Sequence, residues 1–267
     1  MRQFFISAWR SGFRGHSIQS VLVLGLLLVF VAYLAASFSP RQPKTVALDV
    51  GLSGLRFSLV LFAVFWVQEL IGREIERRTV VFALTYPHAR SAYLLGRYFG
   101  VIALLGVAAA LLGVALWLAV LVAGGGYDQE RPVSVGIPYL LTIAGIWLDV
   151  AVVAAFALWI ATLSTVPMLP LALGAAFAVG GKSLGAVADY LAKGAEGDEA
   201  LVSHYGPLVD AIRWVFPDLS RLDWRPWPMY GLPPDASALF LSIIMAVSYA
   251  ALMLGLGVLS FRRREFT

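Results

Sequence analysis

Cysteine is absent from this 267-residue chain. Disulfides, thiolate metal sites and thiol nucleophiles are therefore excluded, and the sequence gives no clue to redox compartment. Charge is nearly as scarce, at 13% of residues against 60% hydrophobic, with a mean hydropathy of +0.82. A soluble domain of this size needs more polar residues than that to cover its surface. The three histidines, His16, His88 and His204, are scattered, with no metal-ligand spacing. Neither a Ser-His-Asp order nor a pair of intramembrane aspartates suggests a hydrolase. The five methionines do not cluster. No basic patch carries interleaved aromatics, so the basic pI does not imply nucleic acid as a partner.

What the chain has is long apolar runs. A spanning helix needs ~20 mostly apolar residues to cross a ~30 Å hydrocarbon core. The runs predict spans near Ile18–Phe38, Val50–Ile71, Arg97–Ala123, Pro138–Thr162, Val166–Gly181 and Ser237–Phe261. The expectation is an all-α polytopic membrane protein with six transmembrane helices. The loop from Ser39 to Asp49, with Pro40 and Pro43, reads as an outer connection, as does Gly124 to Pro132.

The net charge of +4 is unevenly placed. Arg2, Arg10 and Arg14 precede the first span, Arg73, Arg77, Arg78, Arg90 and Arg97 lie between the second and third, and Arg262 to Arg264 follow the last. These are alternate connections. The positive-inside rule therefore puts both termini in the cytosol. Phe5, Trp9 and Phe13 share one helical face within residues 1–16, and Arg10 and Arg14 share another, which suits an amphipathic helix in the cytosolic interface. The long connection 182–236 combines short amphipathic stretches with Trp224, Trp227, Tyr230 and several prolines. It should fold down onto the outer leaflet, partly re-entering it.

The most informative stretch is 72–97, GREIERRTVVFALTYPHARSAYLLGR. An apolar run, Val80 to Leu84, sits between charges, and Pro87 stops it. Exposed apolar surface of this kind marks an interaction site. The order Glu76, Arg78-Thr79, Val80-Val81-Phe82-Ala83-Leu84, Pro87, Arg90, then Tyr93-Leu94-Leu95-Gly96-Arg97 resembles the signature of ABC-2 type permeases. The amphipathic start, the six spans, the long outer loop and the arginine-rich tail are similar to the same family along the whole chain. Within it, the small permeases grouped with multicopper-enzyme maturation look most alike. Two positions differ: Arg78 stands where the family usually has Gly, and Arg97 where it has Lys.

The resemblance implies a single transmembrane domain, 1–267, whose hairpin 72–97 is a coupling helix seated on a separate ATP-binding cassette ATPase. It implies a second permease chain, identical or similar, and a bacterial inner membrane. ATP and Mg would bind in the partner subunit, so this chain binds no cofactor or metal and is no enzyme. Two rival readings remain. One is mechanical, with ATP-driven motion passed to a periplasmic protein through 182–236. The other is a transporter or channel without an ATPase, centred on Asp149.

Three further features bear on these readings. Asp149 lies mid-span, where an ionised carboxylate must face the bundle or a wet path; it could be a substrate or proton site, or a structural partner for Arg56 in span two. Gly96 and Gly100 form a GxxxG that permits close helix approach. Ala176 to Ser183, AFAVGGKS, matches a relaxed phosphate-loop pattern but ends an apolar span, with no strand before it. Lys182 there reads as a snorkelling side chain at the span's outer end.

Overall fold

The computed structural model describes residues 2–14, 16–72, 90–123, 132–164, 166, 168–192, 204–209, 211–212 and 216–263. Among them there is no strand. The elements are α1 (Arg2–Arg14), α2 (His16–Ser37), α3 (Pro43–Val67), α4 (Arg90–Val122), α5 (Ile137–Leu163), α6 (Leu169–Ala192), a 3₁₀ turn (Leu219–Leu222), the short α7 (Pro226–Tyr230) and α8 (Ala236–Arg263). Six helices, α2 to α6 and α8, are long and apolar enough to cross a membrane. The chain is thus a multi-pass membrane protein by length and composition.

α3 and α5 form the centre. Each is buried over about two thirds of its apolar window, whereas α2 and α8 are buried over about a quarter and face outward. α3 packs on α2, α4, α5 and α6, and α5 packs on α3, α4, α6 and α8. Small residues set the approach. A Cβ on Gly51 would collide with Leu116 of α4, and one on Gly25 of α2 would come within 2.6 Å of Leu112.

α1 lies along the first turns of α4, in the same direction. Phe4 meets the Tyr93 ring edge-on at 5.3 Å, Ala8 faces Gly100, and Gly12 faces Leu104. A Cβ on Gly100 would stand 2.6 Å from that of Ala8, so this glycine of the GxxxG pair serves α1; Gly96 is also buried. Tyr93 also stacks on Phe261 at 5.7 Å. The start of the chain, the start of α4 and the end of α8 therefore meet at one end of the bundle, with Arg97 over the Tyr93 ring.

Three boundaries differ from the sequence reading by seven residues or more: α4 begins at Arg90, ahead of the expected Arg97. α3 begins at Pro43, inside the stretch expected to be a loop to Asp49. Proline fits the first turn, where its missing N–H would have no helical partner and its fixed φ suits the helix. α6 does not stop at Gly181 but runs on to Ala192, so Lys182 is helical and the helix ends eleven residues later than expected. Gly181 and Gly185 serve close approach rather than termination: a Cβ on Gly181 would come within 2.7 Å of Leu219, and one on Gly185 would overlap Ser220.

Candidate functional site

Part of the connection between α6 and α8 packs into the helix bundle. Residues 216–230 form a wedge between α5 and α6. The Phe216 ring lies 5.0 Å from Phe177 of α6, which stacks on Phe156 of α5 at 4.1 Å. Asp218 caps the 3₁₀ turn, its Oδ1 accepting from the Ser220 N–H and hydroxyl. Leu219, Leu222, Trp224 and Met229 are buried. The Trp224 carbonyl accepts from Thr142 Oγ1 of α5, and the Pro228 carbonyl accepts from the Ser134 N–H. At Gly145 the Leu222 carbonyl and the Trp224 ring press on the α5 backbone. That lies about 12 Å in from the start of α5. Gly231, at φ +68°, closes α7 in the left-handed conformation that glycine tolerates.

The wedge completes a row of charges from the surface to the bundle interior. Asp49 of α3 is 56% exposed and takes the Arg225 guanidinium at 3.3 Å. Arg225 also donates from Nη1 to Ser53 Oγ at 2.7 Å, and its Nε and Nη2 donate to the two carboxylate oxygens of Asp223 at 2.7 and 2.6 Å. Asp223 Oδ2 meets Lys182 Nζ of α6 at 2.7 Å. Arg56 of α3 donates from Nη2 to the Ala178 carbonyl, one turn before Lys182, at 3.2 Å. Its Nε donates to Asp149 Oδ2 of α5 at 2.5 Å, and the Asp149 side chain is 3% exposed. Asp149 Oδ1 is buried, with no hydrogen-bond partner among the described residues. Three acids and three bases therefore tie α3, α5, α6 and the wedge together, and the row is neutral.

Burial alone would raise the Asp223 carboxyl, but the hydrogen bonds from Arg225 and the attraction of Lys182 outweigh it and hold the group well below the usual carboxylate range. Such a group contributes stability above its unfolded pKa of ~3.9, lost only as pH falls through the lower folded value. Tryptophan emission of the purified protein should therefore show no release of the wedge between neutral pH and about pH 4. Release well above that pH would mean that Asp223 is not held by these two cations.

The sequence singled out Arg56 and Asp149, and they are in contact. It did not connect Lys182, Asp223 and Arg225. Asp223 and Arg225 pair two positions apart, but Lys182 lies 41 positions from Asp223, and its only local signal was that it continues an apolar helical pattern, Phe177, Ala178, Gly181, Leu184 and Ala188. Glu76, Arg78, Thr79, Val80, Val81, Phe82, Ala83, Leu84 and Pro87 lie outside the described residues. Arg90 opens α4, without a described side chain. The approach to that segment is a π-helical turn at Gln68–Gly72, a widening frequent at functional sites.

Elsewhere, an apolar groove of about 360 Å³ lies between α4 and α5, over Ala109, Gly113, Trp117, Tyr139 and Ile143. Among the described residues, no group of three acidic, histidine or cysteine side chains could hold a metal. Set against known proteins, the chain matches no family model and no curated relative.

Proposed function

We propose that this chain is the permease subunit of an ATP-binding cassette transporter of the ABC-2 type. It would work in a bacterial inner membrane, beside a second permease chain and two ATPase subunits. The observation that carries this reading is the segment 72–97, an apolar run between charges that joins two of the packed spanning helices, α3 and α4. Its apolar tip would supply contact area on the ATPase, and its charges would set register and orientation. The meeting of Phe4, Tyr93 and Phe261 supports the reading, because it gathers the arginine-bearing ends of the chain at the same end of the bundle as α4 begins. The positive-inside rule then makes that end cytosolic, with α1 at the cytosolic boundary.

A stroke delivered there would pass into α3 and α4, and from α3 to the charge row on its flank. The test is to photo-crosslink from position 82 in native membranes, then purify the protein and identify what it has captured. A crosslink to the ATPase, with ATP-driven work lost in Phe82→Asp while the fold is kept, is expected. If position 82 never reaches an ATPase, this reading is wrong.

A further inference from the structure

Three charged side chains stand at the same depth. α3, α5 and α6 have 25, 27 and 24 residues, and Arg56, Asp149 and Lys182 each lie within about 3 Å of the midpoint of their helix. A hydrocarbon core of ~30 Å leaves ~15 Å on either side of that level. Asp149 is enclosed there, with 3% of its side chain exposed, but Arg56 is 19% and Lys182 26% exposed. A cation turned to lipid at the middle of a membrane costs about 2.5–3.5 kcal/mol, and the four-carbon stem of a lysine covers less than half of the ~15 Å to the boundary. Toward the outer end the same flank stays polar. On α3, Arg56 shares a face with Ser53, which is exposed, and with Asp49, which is 56% exposed. The wedge brings irregular backbone to this level, with Leu219 against Gly181, next to Lys182. Non-helical backbone at membrane depth is tolerated only where protein buries it or water lines it. Toward the inner end the character changes at once. Leu59, Val60, Ala63 and Val64 of α3 are buried, and a Cβ on Gly174 of α6 would lie 3.1–3.2 Å from Val64 and from Ala157 of α5.

We propose that this flank, formed by α3, α6 and the wedge, faces water admitted from the outer side of the membrane as far as Lys182 and Arg56, and that the seam of Val64, Ala157 and Gly174 closes it from the inner side. Lipid laid against the flank would leave both cations in hydrocarbon. A second copy packed on it would strip their water as well, and the row is neutral, so it offers no net charge to offset that loss. Water solvates the exposed parts of Asp49, Arg225, Lys182 and Arg56 without either cost. The wet flank rests only on the six spanning helices. Its use as the outer half of a route for a water-soluble cargo rests on the permease reading.

Single cysteines test this, because the chain has none of its own. Ser53→Cys, Ala186→Cys and Lys182→Cys lie on the flank. Val247→Cys, 56% exposed and near the middle of α8, is the lipid-facing comparison. A charged maleimide that cannot cross the membrane is added to the full-length protein in spheroplasts, where it meets the outer side, and in inverted vesicles, where it meets the inner side. From the outer side the three flank positions should react at least about tenfold faster than position 247. A thiol in an apolar setting keeps its proton, and each pKa unit is tenfold in thiolate. From the inner side none should react. Lys182→Cys as slow as Val247→Cys from the outer side would mean that the middle of the flank is dry. Equal reaction from both sides would mean that the seam is open. Either result overturns the proposal. Should Lys182→Cys fail to accumulate, the unmutated Lys182 is read instead by mass spectrometry, after an impermeant amine reagent on each side, with the same outcomes. The assay needs no ATPase, so a failed crosslink from position 82 removes the permease reading without touching this result.

Discussion

Asp149→Ala is expected to destabilise the protein by about 3 kcal/mol, while Asp149→Leu combined with Arg56→Met should come close to the parent. Removing one partner of a buried ion pair strands the other, at about 3–5 kcal/mol, whereas replacing both by apolar groups is often neutral or stabilising. The lower end applies because the Arg56 side chain is 19% exposed and keeps its bond to the Ala178 carbonyl. Denaturant unfolding in micelles, followed by circular dichroism, measures both variants. If the single variant were as stable as the parent, the pair would not be holding α3 to α5. If the double variant were as poor as the single, the loss would lie in packing at these positions rather than in stranded charge.

The second large effect concerns the wedge. Gly145→Val should drive residues 216–230 out of the bundle. A Cβ at Gly145 would lie 2.8 Å from the Leu222 carbonyl oxygen and 2.9 Å from the Trp224 ring. The first of these is backbone and cannot rotate aside. Overpacking of this kind costs about 1–3 kcal/mol. Gly113→Val is a fair comparison, since a Cβ there would sit 3.6 Å from Ile143, an ordinary contact. Because the chain has no cysteine of its own, Leu222→Cys gives a single reporter. Maleimide labelling at 222 should be slow in the parent and in Gly113→Val, and fast in Gly145→Val. Equal slow labelling in all three would mean that the wedge tolerates the added side chain, against the packing described.

The two effects are linked through Arg225 and Asp223. These residues belong to the wedge, yet they bond to Asp49 and Ser53 on α3 and to Lys182 on α6. Displacing the wedge therefore strips partners from the outer half of the charge row and leaves the Arg56–Asp149 pair in place. The single reporter at 222 and the unfolding free energy should separate accordingly. Gly145→Val changes the first strongly, and Asp149→Ala changes the second.

Six apolar helices were legible because bilayer-length hydropathy is a property of contiguous residues, and every expected span has a long helix at its place. Ends were harder. Pro43 looks like a loop residue until it is placed in the first turn of α3, and the Gly180-Gly181-Lys182-Ser183 stretch looks like a terminus until Leu219 and Ser220 are packed against its glycines. In both places the local residue type permits two structures, and the neighbour decides. The same holds for Lys182, which alone reads as a charge reaching for the surface and in the fold meets Asp223.

By itself the sequence determined the all-helical, multi-pass character of this protein and the residues of its charged hairpin segment, since both are written in consecutive residues. It also marked Arg56 and Asp149, because an ionised side chain inside an apolar run is conspicuous at once. Only the tertiary structure decided that these two join Lys182, Asp223, Arg225 and Asp49 in one neutral row. Opposite charges on separate segments carry no spacing rule; they find one another through the packing of α3, α5, α6 and the wedge, which glycines 145, 181 and 185 allow to come close.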